Sequence, residues 1–264
     1  MAWLTPNVAP SSGAQRLCLW ITPITAYLVL GIACISLAGW WLDIEPMRRV
    51  LPMLNDWVMR PLTAIGFLLL GIGLLLDWPS DAGWLRRGIG QFLAALVVLI
   101  GVIIIGEYIL QIDIGLERLF FTREIQTLAE VYPGGPPPYT ALCMIFSGLA
   151  ILLLDVRTRT GRRLALVLPF VLMFVAFHAL IADLYQEVKP GAPEKLLTSV
   201  STFSSMEPHT AISFILLALG IIFARPERGV AAVLLRDDMS SLLLRRLLPA
   251  AFLIPFLLGW LKLE

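Results

Sequence analysis

The chain has 264 residues, 58% of them hydrophobic and 15% charged, with a mean hydropathy of +0.84 and a formal net charge of +1. A soluble domain is about 45–50% apolar and about 25% charged, so a water-soluble chain of this length would have nowhere to put the surplus apolar surface. The near-neutral charge argues against a nucleic-acid partner, which requires a clustered basic face.

Residues 1–17 carry one basic residue, Arg16, and no short apolar core followed by a small-residue cleavage site, so they read as a polar lead and not as a signal peptide. Seven apolar segments follow, near 18–41, 61–76, 90–111, 138–154, 163–185, 208–224 and 243–262. Each can cross a hydrocarbon core about 30 Å thick as a helix, the form that satisfies every backbone group within one segment. The pattern predicts an all-α polytopic transmembrane helical bundle forming one domain over 1–264.

Three of these segments open with the same phrase: Pro61-Leu62-Thr63-Ala64, Pro138-Tyr139-Thr140-Ala141 and Pro208-His209-Thr210-Ala211. Farther along, Phe67, Met144 and Phe214 align, as do Gly71, Gly148 and Ala218. Self-similarity at a fixed spacing marks a chain built from copies of one unit. The expected units are 18–76, 90–154 and 163–224, each a long segment, an external connection and a shorter returning segment, with 243–262 an additional span. The connections hold semi-apolar stretches at 51–59, 113–128 and 194–206, as interfacial or re-entrant pieces would.

Proline and threonine in this phrase admit two readings. Proline pushes the preceding residue out of the helical region, and threonine can cap free N–H groups, so the phrase can be a helix-start signal. Alternatively, three helix starts at Pro61/Thr63, Pro138/Thr140 and Pro208/Thr210 converge and make an anion-attracting or ligand-reading site.

Basic residues set the orientation. Arg86 and Arg87, then Arg157, Arg159, Arg162 and Arg163, then Arg225, Arg228 and Arg236 follow the second, fourth and sixth segments. That side is expected to be cytoplasmic, with the N-terminus inside and the repeated phrases outside. Trp40, Trp41, Trp57, Trp78, Trp84 and Trp260 lie near predicted span ends, as an aromatic belt would. Seven crossings leave Glu264 outside, either as the end of a seven-span protein or as the edge of a fragment.

The two histidines, His178 and His209, fall toward the external face. They are weak metal or haem ligands, because no His-x-x-x-His, Cys-x-x-Cys or Glu-x-x-His spacing supports them, so no metal or cofactor is expected. Glu107 and Gln111 share a helix face, and Asp183 and Tyr185 hold the corresponding end of the fifth segment. These positions are either interfacial anchors or parts of an outward-facing ligand pocket built from Glu107, Gln111, Tyr139, His178, Asp183 and His209. Cys18, Cys34 and Cys143 sit in apolar stretches and read as small core or lipid-facing residues. There is no Walker loop, Rossmann glycine pattern or Gly-x-Ser-x-Gly elbow, and no long polar stretch to hold a catalytic domain; the chain is not expected to be an enzyme.

Several of these phrases resemble the multi-pass, MASE-type N-terminal input regions of bacterial histidine kinases and diguanylate cyclases. The matching residues are Pro138 through Cys143, Ser205 through Ala211, the segment 113–121 and the tail 243–264. Leu62 and Tyr139 stand where the phrase often carries asparagine, whereas His209 keeps the histidine. The resemblance implies an inner-membrane sensory domain, homodimeric, in contact with the lipid bilayer. It would relay a small-molecule or lipid stimulus through its last span to a cytoplasmic kinase, cyclase or PAS output in cis. The rival expectations are a small-molecule transporter or carrier subunit, which the repeats also suit, and a haem-binding redox subunit resting on His178 and His209.

Overall fold

The computed structural model describes residues 13–48, 58–78, 83–112, 114–116, 135–156, 158–188, 206–225 and 232, with the backbone alone for 13–19, 162 and 182–188. The described residues are all-helical, without a strand among them. In chain order the helices are α1 (Gly13–Trp41), α2 (Glu45–Arg48), α3 (Pro61–Asp77), α4 (Trp84–Leu110), α5 (Pro138–Leu152), α6 (Arg159–Val188) and α7 (Pro208–Phe223).

Three helices are long and apolar enough to cross a membrane, over Trp20–Trp41, Trp84–Leu110 and Arg159–Ile181. The chain is on this ground a membrane protein. The apolar helices α3, α5 and α7 have 17, 15 and 16 residues. At about 1.5 Å per residue they reach about 22–26 Å.

The shorter helices form the centre. α3, α5 and α7 touch one another, and each long helix packs against two of them: α1 against α3 and α7, α4 against α3 and α5, α6 against α5 and α7. Sequence dictates this division. Buried stripes run down Thr63, Phe67, Leu70 and Leu74 of α3, Thr140, Met144, Ser147 and Ile151 of α5, and Thr210, Phe214, Leu217 and Ile221 of α7. The 4-3-4 spacing puts each set on one face of its helix. The long helices carry exposed apolar residues instead, among them Tyr27, Phe92, Leu99, Val102 and Phe174, which suits a face toward lipid.

Small residues bring the helices together, as in membrane bundles where backbone approach replaces the hydrophobic effect. A Cβ on Gly90 of α4 would lie 2.9 Å from the Gly73 carbonyl oxygen of α3. On Gly101 it would lie 2.9 Å from the Ala141 carbonyl oxygen of α5, and on Gly71 2.8 Å from Leu30 of α1. Thr22 ties α1 to α7 by donating its hydroxyl to the Gly220 carbonyl at 2.8 Å.

Observed helix bounds differ from the expected ones mainly at the starts of the long helices. The helix expected from 90 begins at Trp84, because Arg86 reaches past the helix start and donates to the Leu75 carbonyl at 2.9 Å. That contact gives a basic residue a place in the first turn. α4 ends at Gln111, whose φ of 55° is left-handed and closes the helix. Of the belt tryptophans, Trp41 and Trp84 are 82% and 86% exposed. Trp40 is buried instead, donating its indole N–H to the Met59 carbonyl at 2.7 Å beneath the Arg48 guanidinium. Trp57, Trp260 and the span expected at 243–262 lie outside the described residues, as do most of the expected re-entrant stretches.

Candidate functional site

The three repeated phrases lie at one end of the bundle, and each proline is the first residue of its helix. Proline suits this place because it has no N–H to leave unsatisfied and its φ is already helical. Arg60, Pro137 and Glu207 are the N-cap residues, in extended conformation, and none supplies a side-chain cap bond. The first helical bonds at this end run from Ala64 N–H to the Arg60 carbonyl, Ala141 to Pro137 and Ala211 to Glu207, at 3.0, 3.1 and 3.0 Å.

The threonines do not cap. Each is the third helical residue, because proline takes the first place, so its hydroxyl lies inside the helix start and not in front of it. Thr63, Thr140 and Thr210 are at most 1% exposed, and each Oγ1 is buried without a hydrogen-bond partner. Two other buried hydroxyls on these helices take the carbonyl one turn back, Ser147 donating to Cys143 at 2.6 Å and Ser213 to His209 at 2.7 Å, whereas buried Ser36 of α1 also lacks a partner. A threonine in the first turn has no helical carbonyl at that distance.

The hydroxyls face the axis. Each threonine stands one turn before Phe67, Met144 or Phe214, on the same helix face. The Phe67 and Phe214 rings meet 4.6 Å apart, and next to Phe67 the Met144 methyl closes on Gly66. An apolar layer thus closes the axis beneath a buried polar layer. His209, the second residue of α7, is 2% exposed, with its Nε2 buried and unpartnered. Arg60 and Glu207, opposite in charge at equivalent N-caps, are also buried, and neither is free of partners.

The residues expected to line an outer pocket have different surroundings. His178 is exposed on α6 and His209 is inside, so they do not share a surface. Tyr139 is half-buried at the start of α5. Half-buried Glu107 accepts the Ile114 N–H at 2.9 Å, and exposed Gln111 donates to the Tyr108 carbonyl at 2.9 Å, so both serve the turn after α4. The side chains of Asp183 and Tyr185 lie outside the described residues. Cys143 is buried and Cys34 is exposed on α1.

Sequence reading missed a second polar cluster, at the opposite ends of the same three helices. Arg225, just past α7, donates to Asp155 from Nε at 3.1 Å and from Nη2 at 2.6 Å. It also donates to the carbonyls of Asp77 and Trp78, both at 2.9 Å, closing the end of α3. The Asp77 carboxylate is fully buried, 3.3 Å from Arg87 Nε and 3.8 Å from Arg225 Nη2, and Arg87 also lies 3.4 Å from Asp155. One signal was available: Asp155 and Arg225 stand at the same distance after Pro138 and Pro208, with opposite charge.

Comparison of the chain with protein-family models, with curated proteins and with solved structures finds no match.

Proposed function

We propose that this chain is a membrane-embedded sensory input domain of a bacterial signal-transduction protein. In this reading the chain is built of three copies of one helix pair, with all six helices crossing the inner membrane and a further span near 243–262. The repeated-phrase end faces the periplasm and the Arg225 end faces the cytoplasm, where a kinase, cyclase or PAS module in cis receives the signal from a homodimer.

The observation that carries this reading is the pairing of two polar clusters through one set of helices. α3, α5 and α7 each bring an unpartnered threonine to one end, and each brings Asp77, Asp155 or Arg225 to the other. A ligand that satisfies the threonines in one packing of the helices better than in another shifts the bundle toward that packing. The same helices carry the shift to the ion cluster at their other ends.

The test is a distance measurement across the Arg225 end in lipid nanodiscs. Spin labels on Gly88→Cys and Thr158→Cys, both exposed positions, are introduced with the native cysteines replaced by alanine. Distance distributions are compared between the parent and variants at the other end, Thr140→Val and Met144→Ala. The sensory reading expects altered distributions. Unchanged distributions, together with solute-dependent flux in proteoliposomes, would replace it with the carrier reading, which buried polar groups at one end of an apolar bundle also suit.

A further inference from the structure

We infer that the axial end between α3, α5 and α7 binds a small, singly charged anion, held by Thr63, Thr140 and Thr210 and by His209. The argument is a count of donors against acceptors. Proline as the first residue of each helix leaves the N–H groups of the second and third residues without an intrahelical acceptor: Leu62 and Thr63, Tyr139 and Thr140, His209 and Thr210. No N-cap side chain accepts from them. The three threonine hydroxyls add three donors that lack a partner, and His209 Nε2 adds a fourth in the tautomer that carries its proton there. All but the half-buried Tyr139 lie on buried residues, at most 2% exposed.

A region so rich in donors calls for a ligand that only accepts. An anion does this, and three helix starts at the same end of the bundle add the positive ends of three helix dipoles. The buried N-cap side chains Arg60 and Glu207 have opposite sign, and their Nη1 and Oε2 atoms add one donor and one acceptor to the count, which leaves the donors in excess. The charge is single and the ion small because, among the described residues at this end, the buried charges of Arg60 and Glu207 cancel, and the layer of Phe67, Met144 and Phe214 limits the depth. A halide and the carboxylate of a small acid share this chemistry.

This names the ligand class of the end that the sensory reading takes as the input, and rests on that reading only for its consequence. Binding and signalling are therefore measured apart. The whole chain in detergent is melted in rising sodium bromide, in rising sodium acetate, and in sodium gluconate at matched ionic strength. Expected is a saturable rise in melting temperature with bromide or acetate and none with gluconate; which of the two acts assigns a free halide or a carboxylate. The triple variant Thr63→Val, Thr140→Val, Thr210→Val should lose the rise, and the matching serine variant should keep it. Bromide anomalous scattering from crystals of the parent chain should give a peak between the three threonines, which tests binding even where a variant fails to fold. Equal rises in all three salts, or a rise retained by the valine variant, would overturn the inference. Binding with no change in the label distances across the Arg225 end would leave the anion site standing and remove the sensory reading.

Discussion

Arg225 and Asp155, seventy residues apart, form a two-point ion pair with contacts of 3.1 and 2.6 Å. The planar guanidinium matches the carboxylate, and its remaining N–H groups reach the carbonyls that end α3. One side chain thus joins the ends of all three central helices.

Replacing Arg225 with alanine should therefore cost more than an ordinary surface substitution. It strips Asp155 of its main partner and leaves the fully buried Asp77 with Arg87 as its one ion-pair partner among the described residues. Breaking a buried pair from one side costs about 3–5 kcal/mol. Lysine at 225 should recover only a minor part, since it lacks the fork that serves carboxylate and carbonyls together. Thermal unfolding in detergent, followed by helix signal, reads both. A double-mutant cycle with Asp155→Asn should show strong non-additivity.

The crossing of α3 and α4 makes a contrasting pair of glycine predictions. A methyl on Gly90 would sit 2.9 Å from the Gly73 carbonyl oxygen, where backbone and not a yielding side chain stands in the way. Gly90→Ala should destabilise by about 1–3 kcal/mol through overpacking. At Gly88, two residues earlier on the same helix, a methyl meets nothing within 4 Å. Gly88→Ala should stabilise by about 0.5–1 kcal/mol, because alanine loses less backbone freedom in a helix. The two melting temperatures should move in opposite directions.

These relationships differ in how far they can be read from sequence. The starts of α3, α5 and α7 are legible to the residue, because proline cannot sit deeper in a helix without removing a bond. The alignment of Phe67, Met144 and Phe214 is equally visible, and the two phenylalanine rings meet. The role of the threonines is not, since a capping threonine would stand one residue before the proline and these stand two residues after it. The depth of His209 against the exposure of His178 depends on which face each helix turns to its neighbours, and hydropathy assigns no face inside a segment apolar all round. The Asp77, Asp155 and Arg225 cluster escapes because each residue taken alone reads as a loop charge.

The axial apolar layer should be sensitive to truncation. Phe67 and Phe214 are at most 1% exposed and contact each other across the centre. Phe→Ala in a core costs about 3–5 kcal/mol. Within a membrane, lipid offers an apolar alternative to the unpacked side chain, so the cost should fall to about 3 kcal/mol. Phe67→Ala and Met144→Ala should each lower the melting temperature, with the two coupled because Gly66 brings Met144 beside residue 67.

The sharpest prediction concerns the threonines, because its sign is opposite to that of most core substitutions. Thr140 is fully buried, and its hydroxyl has no partner. Valine has nearly the same shape without the hydroxyl. A buried polar group left unsatisfied costs about 1–3 kcal/mol, and replacing it by an apolar group of equal shape removes that cost. In a buffer whose only anion is gluconate, Thr140→Val should melt higher than the parent. In saturating bromide or acetate, whichever the site takes, the order should reverse, since only the parent then gains the ligand's stabilisation. A valine variant less stable than the parent in gluconate would mean that the hydroxyl is satisfied after all.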